Sequence, residues 1–487
     1  EQNQISFTAY GPSGATVSLE GRVQGQIGSD GRLQFNCQLP HLGRNVLSLS
    51  VSQDGREVQF QRTYSLQEDP QLAELRTLLA QAEEKQLDTT AAKNFLAAVG
   101  GDNPYGEAQR QQAAQEISSL RQAIVAQEVT KTQTFPNALA QALFNRAGAA
   151  YQRRQFNRAG YYLTLSRNAA AAGSFTGHQV QLLPTEYGDY PGFLLSNGRL
   201  AVTLLETGGR IISYQVDGVE CLLPGNFESG LTLEERASQK VSKEMVTRLK
   251  GLGGFEDAGG YAYLWPVSFV DWDVDFVEIK PARAAIAFST LIPDTPYLLR
   301  RTVSLSADSL DLHCDYEIKN TLSPEYASED PEHFQFPWRG RFMPGIGQGA
   351  NAPENDRLVV PLLDTEEPLQ EPHFTAAKPA FYSLKSRKLK ENFFGAYDPS
   401  LRTGLAMLGD TNLSHLYMWF NSKVDKNGKG GVYTLEFLRS FRGKSHADPY
   451  PNSPFTIKAG ESFNFSFIIR GITNCSSDEQ FLQQCQR

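Results

Sequence analysis

The hydrophobic pattern is clearest between residues 197 and 218. Apolar and small polar residues alternate through 200–205, which is the period-two pattern of a half-buried strand. Gly208-Gly209 interrupts the alternation, which resumes through 211–216 and ends in the turn dipeptide Asp217-Gly218. Two glycines between apolar strands permit a backbone conformation that a side chain would forbid, as at a bulge or a tight corner. The stretch therefore predicts a β-hairpin.

Residues 1–66 contain short alternating apolar runs separated by turn dipeptides such as Asp54-Gly55. Strands spaced this closely, with this punctuation, predict a β-sandwich of about seven strands. The segment from Tyr10 through Leu49 resembles the immunoglobulin-like modules that are attached to secreted carbohydrate-active proteins. That resemblance implies a spacer or a packing partner, and we assign no chemistry to the segment.

The pattern changes abruptly after residue 66. Asp69-Pro70 is a good helix start, and leucines follow it at helical spacing. A long polar helix is expected over 108–129, and another helix is expected to begin at Pro136. Because helices of this kind bury one face on a neighbour, residues 67–176 are predicted to form a short α-helical bundle or linker domain.

Residues 177–487 are β-rich, with no helical pattern longer than about three turns. A glycine-rich loop is expected over 251–260 and a longer loop over 323–348. About 300 residues of strands suit a large antiparallel sandwich better than a single small barrel. The predicted fold class is therefore multidomain and mainly β, with an N-terminal immunoglobulin-like β-sandwich, a helical bundle and a C-terminal antiparallel β-supersandwich.

Four segments of the β-rich part resemble galactose mutarotase-like (aldose epimerase-type) domains over roughly residues 178–475. The first is 197–218, with its Gly-Gly-Arg-Ile corner and closing Asp-Gly. The others follow in the family's order at 299–320, 434–438 and 457–469. The resemblance implies a supersandwich that handles carbohydrates.

Composition narrows the function classes. A chain of 487 residues is long enough for two to four domains. The formal net charge of −8 provides no basic surface for nucleic acid, so we expect no nucleic-acid partner. No apolar run approaches the roughly 20 residues of a membrane span, and we therefore expect none.

The five cysteines bear on metal binding and on compartment. None lies in a Cys-x-x-Cys pair or beside a histidine, so we expect neither a metal site nor a cofactor. Cys475 and Cys485 are close enough in sequence to close a small disulfide loop, and the pairing stays open. The sequence begins at Glu1 without a methionine, as expected after removal of a signal peptide or after shortening of the chain. Together with the resemblance, this favours an exported protein that is secreted or periplasmic.

Aromatic and charged residues of the β-rich part predict a sugar site. Flat aromatic rings stack on the apolar face of a pyranose while polar groups bind its hydroxyls, although the same rings also fill sandwich cores. Glu256 and Asp257 are expected on the glycine-rich loop. Arg339 and Arg341 of the second loop are suited to hold a substrate hydroxyl or carboxylate. The predicted substrate-binding residues are Trp265, Trp272, Trp338, Arg339, Arg341, Trp419, Glu256 and Asp257.

Two residues are candidates for catalysis. Carried over from the resemblance, His333 is the candidate acid and Glu436 the candidate base. Ring opening of an aldose needs one group to protonate the ring oxygen and another to take the anomeric proton. Mutarotases use a second histidine, and neither His373 nor His415 lies in a recognisable motif. Glycan cleavage by paired carboxylates, such as Glu256 with Glu436, is an alternative. The distance between the two carboxyl groups, which the sequence does not give, decides whether it is possible.

The sequence therefore supports two hypotheses from different classes. In the first, the protein recognises a carbohydrate, with or without epimerase-like or glycan-cleaving turnover. In the second, it is a non-catalytic structural or assembly protein that docks a protein partner through its helical and immunoglobulin-like parts.

Overall fold

The computed structural model describes most of the chain. The described residues are 4–38, 43–66, 70–99, 107–131, 133–222, 254–259, 266–268, 270–292, 296–322, 338–347, 356–361, 381–388, 390–409, 415–424, 430–439 and 457–486. They divide between two compact units. The first comprises Glu1–Thr134 and Phe144–Thr164, and the second comprises Phe135–Leu143 and Leu165–Arg487. The three-part division expected from the sequence stays a prediction.

The first unit begins with a small β-sandwich. Its strands are β1 (Gln4–Tyr10), β2 (Thr16–Leu19), β3 (Arg22–Gln26), β4 (Arg32–Gln38), β5 (Gly43–Gln53) and β6 (Arg56–Leu66). Strands β3-β2-β5-β6 form one antiparallel sheet and β1-β4 the other. Val17, Leu19 and Leu47 are buried at its core. The described strands number six where about seven were expected, and the immunoglobulin-like identity stays a prediction.

The helical region contains five described helices. They are α1 (Pro70–Glu84), α2 (Thr90–Val99), α3 (Glu107–Val129), α4 (Ala138–Gln152) and α5 (Phe156–Ala171). Leu75 of α1, Phe95 of α2 and Leu120 of α3 share one buried cluster. The sequence placed the start of α1 and the extent of α3 correctly. Among the described helices, none combines the length and apolar character that a membrane crossing requires.

The second unit is built mainly from strands. They are β7 (Gln181–Tyr187), β8 (Tyr190–Ser196), β9 (Leu200–Leu205), β10 (Ile211–Val216), β11 (Val219–Leu222), β12 (Phe255–Gly259), β13 (Asp273–Lys280), β14 (Arg283–Leu291), β15 (Tyr297–Ser306), β16 (Asp311–Asn320), β17 (Trp338–Phe342), β18 (Pro344–Gly347), β19 (Arg357–Val359), β20 (Phe381–Lys388), β21 (Phe393–Asp398), β22 (Thr403–Gly409), β23 (His415–Val424), β24 (Gly430–Arg439) and β25 (Ser462–Thr473). A helix, α6 (Asp478–Cys485), follows them.

These strands form two large antiparallel sheets. The eleven-stranded sheet runs β20-β23-β24-β17-β12-β10-β9-β8-β7, with β11 and β18 joined beside β10. The eight-stranded sheet runs β13-β14-β15-β16-β25-β22-β21-β19. The long pair expected over 299–320 is β15 and β16, which align from Tyr297 opposite Asn320 to Leu305 opposite Leu312. The multidomain, mainly β fold class is therefore confirmed.

Both expected loops contain strands. The glycine-rich segment includes β12, and the second segment includes β17 and β18, because the chain here pairs with neighbouring strands of the large sheet. Cys475 and Cys485 are free thiols that lie in the same buried cluster, so the structure shows no disulfide between these two residues. Burial raises the pKa of Cys475 to about 11 and that of Cys485 to about 12.

Candidate functional site

The glycine corner between β9 and β10 is a close approach of two backbones. Gly208 and Gly209 have φ values of +67° and +55°, which favour glycine. A Cβ on Gly208 would lie 2.5 Å from the carbonyl oxygen of Ser268, and one on Gly209 would lie 2.8 Å from the ring of Trp272. The absence of side chains at this corner therefore lets the Trp272 ring pack against it, and Arg210 follows directly before β10.

Glu256 and Asp257 are neighbours on β12 rather than residues of an exposed loop. Successive side chains of a strand point to opposite faces, so the two carboxylates serve different sides of the eleven-stranded sheet. Both are buried, with 2% and 0% of their surface exposed. Each has a different arginine as its partner, and their contact with a substrate stays a prediction.

On the inner face, Asp257 joins the two large sheets. Its Oδ2 accepts a hydrogen bond of 2.8 Å from Nη1 of Arg301 on β15, and its Oδ1 accepts one of 2.8 Å from the hydroxyl of Tyr316 on β16. Burial, followed by the negative charge of Asp257, raises the pKa of Tyr316 well above its usual range, which keeps the phenol protonated as a donor.

Aromatic rings complete the surroundings of Arg301, which is fully buried. The guanidinium carbon lies 5.8–6.0 Å from four ring centroids, those of Phe255, Trp272, Phe288 and Tyr316. Cation–π attraction of this kind helps to hold a charge that has left water. Trp272 is 2% exposed, and its indole N–H donates to the carbonyl of Val267 at 2.8 Å. The structure thus gives Trp272 a packing role, and its stacking on a sugar stays a prediction.

On the opposite face of the sheet, Glu256 forms an ion pair with Nη2 of Arg210. Both side chains are almost completely buried. A buried carboxylate that is ion-paired with a guanidinium has no proton to give to a substrate, because taking one up would break the pair. The geometry therefore favours a positioning role for Glu256 over an acid–base role.

Strand register extends this face across four adjacent strands. Glu256 on β12 lies opposite Arg341 on β17, Arg341 lies opposite Glu436 on β24, and Glu436 lies opposite Tyr417 on β23. Directly opposed residues of antiparallel strands share one face of the sheet. We call these four residues the cross-strand row. Neighbouring strands are about 4.8 Å apart, so the backbones of Glu256 and Glu436 are separated by about 10 Å.

Several other predicted residues belong to the same face. Arg339 is two residues from Arg341, and Trp419 is two residues from Tyr417, so the strand period places both on the face of the row. Trp338 lies opposite Gly259 and has the parity of Asp257, which places it on the inner face. Trp265 and His333 lie outside the described residues.

The sequence interpretation missed Arg210, Arg301 and Tyr417. One signal was available for Arg301, because it occupies the same parity as Leu299 and Val303 in an otherwise apolar series. A charge at an inward position requires a buried partner. Arg210 and Tyr417 have no such local signal, since their neighbours come from distant strands.

Histidine, cysteine, aspartate and glutamate are the side chains that most often hold metal ions in proteins. Within the described ranges, no group of three or more His, Cys, Asp or Glu side chains is arranged to hold a metal ion. The carboxylates of β12 are instead paired with arginines.

Comparison with known proteins gives structural similarity only. No protein-family model matches the chain, and no curated protein is significantly similar to it. One similar structure is a galactose mutarotase-like protein from Clostridium acetobutylicum, at 12% identity and a TM-score of 0.42, covering 60% of this chain and 99% of that one. A galactose mutarotase related enzyme from Lactobacillus acidophilus is 11% identical with a TM-score of 0.37, over 59% of this chain and 99% of that one.

A third similar structure is a TPR-domain containing protein from Parabacteroides distasonis, at 13% identity and a TM-score of 0.39. The match covers 59% of this chain, which spans about half (48%) of that protein. Similarity at this level does not assign a function to the chain.

Proposed function

We propose that the protein recognises a carbohydrate on the face of the eleven-stranded sheet that carries the cross-strand row. One observation carries the proposal: register places Arg341, Glu436 and Trp419, which are distant in sequence, on one face of three adjacent strands. An aromatic residue beside charged and hydroxyl-bearing residues is the combination that binds a sugar ring and its hydroxyls.

Within this proposal, Glu436 is the base and His333 the acid of any ring-opening step. Glu256 is excluded as the acid by its ion pair with Arg210, so its role is to fix the charge pattern beside Arg341. Arg339 and Arg341 are suited to bind substrate oxygens in a fork. Export to the periplasm or the medium is part of the proposal and follows from the sequence resemblances.

The test is a glycan panel on the purified chain, read for binding and for product in the same samples. Glu436→Gln and Trp419→Ala are expected to weaken binding or turnover at least about tenfold, which corresponds to the loss of about 1.4 kcal/mol. Glu317→Gln is the matched control, because Glu317 lies on β16 of the other sheet. Equal effects of Glu436→Gln and Glu317→Gln, or unchanged binding in both Glu436→Gln and Trp419→Ala, would contradict the proposal.

A second candidate function is protein docking by the small sandwich. Val58 and Phe60 of β6 are 56% and 51% exposed, although apolar residues of a sandwich strand are usually covered. If this function is correct, Phe60→Ser abolishes capture of a protein partner and leaves glycan binding unchanged. A negative glycan panel together with unchanged capture by Phe60→Ser would remove both candidates.

A further inference from the structure

A cleft of about 400 Å³ opens in the second unit at a place that the proposed carbohydrate face does not include. Its walls come from the start of α4, the turn that follows α5 and the first residues of β7. The lining residues are Pro136, Asn137, Ala138, Ser174, Phe175, Thr176, His178, Val180, Gln181, Leu182 and Leu183. A volume of this size is at the lower end of the range for small-molecule sites, about 300–1,000 Å³.

The cleft is a built feature rather than a gap between loose loops. Asn137 donates from Nδ2 to the carbonyls of Ala169 and Gly173, and its Oδ1 accepts from the backbone N–H of Ala140. This side chain therefore fastens the start of α4 to the end of α5. On the other side, the backbone N–H of Gln179 donates to the carbonyl of Pro281 at 2.8 Å.

His178 gives the cleft its chemistry. Its ring stacks on Phe175 with centroids 5.1 Å apart and an interplanar angle of 26°. The Nδ1 atom is buried, and within the described part of the chain no group forms a hydrogen bond with it. A buried ring nitrogen without a protein partner is costly unless another molecule supplies a hydrogen bond. His178 as a whole is only half-buried and lines the cleft, so a molecule bound there lies beside its imidazole ring.

The remaining lining residues define the class of that molecule. Apart from His178, none of the described lining residues carries an ionisable side chain, so none of them is a lysine or arginine of the kind that binds phosphate or carboxylate tightly. Val180 and Leu182 are buried apolar side chains at its floor. Ser174 and Thr176 contribute hydroxyls, which are 3.0 Å apart. An apolar floor, an aromatic pair and hydroxyl groups match a neutral ring with hydroxyl substituents.

We propose that this cleft is a second ligand site, which binds a neutral, hydroxyl-rich ring of mono- or disaccharide size beside the imidazole of His178 and hydrogen-bonds it through that ring. The site is independent of the cross-strand row. Strand β7 is five strand spacings from β17 in the sheet order, a distance of about 24 Å. A variant that disrupts one site is therefore expected to leave binding at the other site unchanged.

The experiment follows the imidazole itself. The full chain is labelled with ¹⁵N-histidine, and the His178 resonances are identified by their loss in His178→Phe, which keeps an aromatic ring against Phe175. D-galactose, cellobiose and inorganic phosphate are titrated separately to tens of millimolar. His313→Phe is the matched control, because His313 is exposed on β16 of the eight-stranded sheet.

The expected result is a saturable shift of the His178 imidazole ¹⁵N resonances with a sugar, and binding about two- to tenfold weaker in His178→Phe, as for loss of one hydrogen bond. His313→Phe is expected to bind as the parent does. Absence of any shift, equal binding by His178→Phe, or a saturable shift with phosphate alone would overturn the proposal. Glu436→Gln is measured in parallel, since loss of the His178 response in that variant would show that the two sites are not independent.

Discussion

The two β-sandwiches of this protein differ in what they bury. The large one encloses charged groups, since Arg210, Arg301 and Asp257 are each at most 1% exposed. The small one leaves apolar groups in water, with Val58 and Phe60 more than half exposed. Charged side chains are usually exposed and apolar ones usually buried, so both regions depart from the common pattern.

Size explains the contrast. A domain of about 60 residues buries only about 60% of the surface of its unfolded chain, whereas one of 300 residues buries about 75%. The small sandwich therefore has too little second-sheet surface to cover β6. The large sandwich has enough aromatic neighbours, together with Asp257, to bury Arg301 completely. The difference shows that burial here follows the supply of neighbours as much as hydrophobicity.

The largest effect is expected from Asp257→Ala. The change leaves Arg301 buried without its carboxylate, and breaking a buried pair in this way costs about 3–5 kcal/mol. Urea unfolding followed by tryptophan fluorescence measures the loss, because all four tryptophans lie between residues 265 and 419. The double variant Asp257→Leu with Arg301→Met is expected to recover at least half of it, since no unpaired charge remains. A cost below about 1 kcal/mol for Asp257→Ala would show that the rings alone hold the guanidinium.

An intermediate effect is expected within the small sandwich. Leu47→Ala removes a side chain that is 3% exposed and should cost about 2–5 kcal/mol. Phe60→Ala removes a larger side chain that is half exposed and should cost less than about 1 kcal/mol. Hydrogen exchange of β2 and β5 reports both changes. A larger loss of protection in Phe60→Ala than in Leu47→Ala would refute the exposure of β6.

The smallest effect is expected at the surface pair of Arg199 and Asp217. Hydrogen bonds from Arg199 lower the pKa of Asp217, so the pair stabilises the folded chain above the unfolded pKa of about 4 and loses that contribution as the pH falls. Asp217→Asn should cost less than about 1 kcal/mol at pH 7, because both groups are exposed. Asparagine tolerates the positive φ of 49° at this position. Urea unfolding should show the difference shrinking towards about pH 3, and a constant difference would mean that the ion pair contributes nothing.

The sequence predicted those parts of the fold that are encoded locally. The hairpin dipeptide Asp217-Gly218 joins β10 to β11, with Val216 opposite Val219, and the helix starts near Pro70 and Glu107 follow from punctuation and spacing. Strand β12 was taken for a loop because five residues with two adjacent carboxylates carry little β propensity. Pairing with β10 and β17 overrides that propensity.

The candidate site was predictable only within single strands. Arg339 and Arg341 are two residues apart, so their common face follows from the sequence alone. The alignment of Arg341 with both Glu256 and Glu436 depends on which strands become neighbours, and those neighbours are not consecutive in the chain. The partner of Arg301 lies 44 residues earlier in the sequence, beyond the range of any periodic pattern.

The alternation on β12 has a consequence for how such a protein can evolve. The side chain at position 257 pairs with Arg301 in the interior, and the side chain at the adjacent position 256 pairs with Arg210 on the opposite face of the sheet. A lineage can therefore exchange residues at 341 and 436 while the buried partnerships at 256 and 257 are inherited unchanged. A single residue inserted in β12 would move each following side chain to the other face of the sheet. The strand can therefore tolerate substitutions more readily than insertions or deletions.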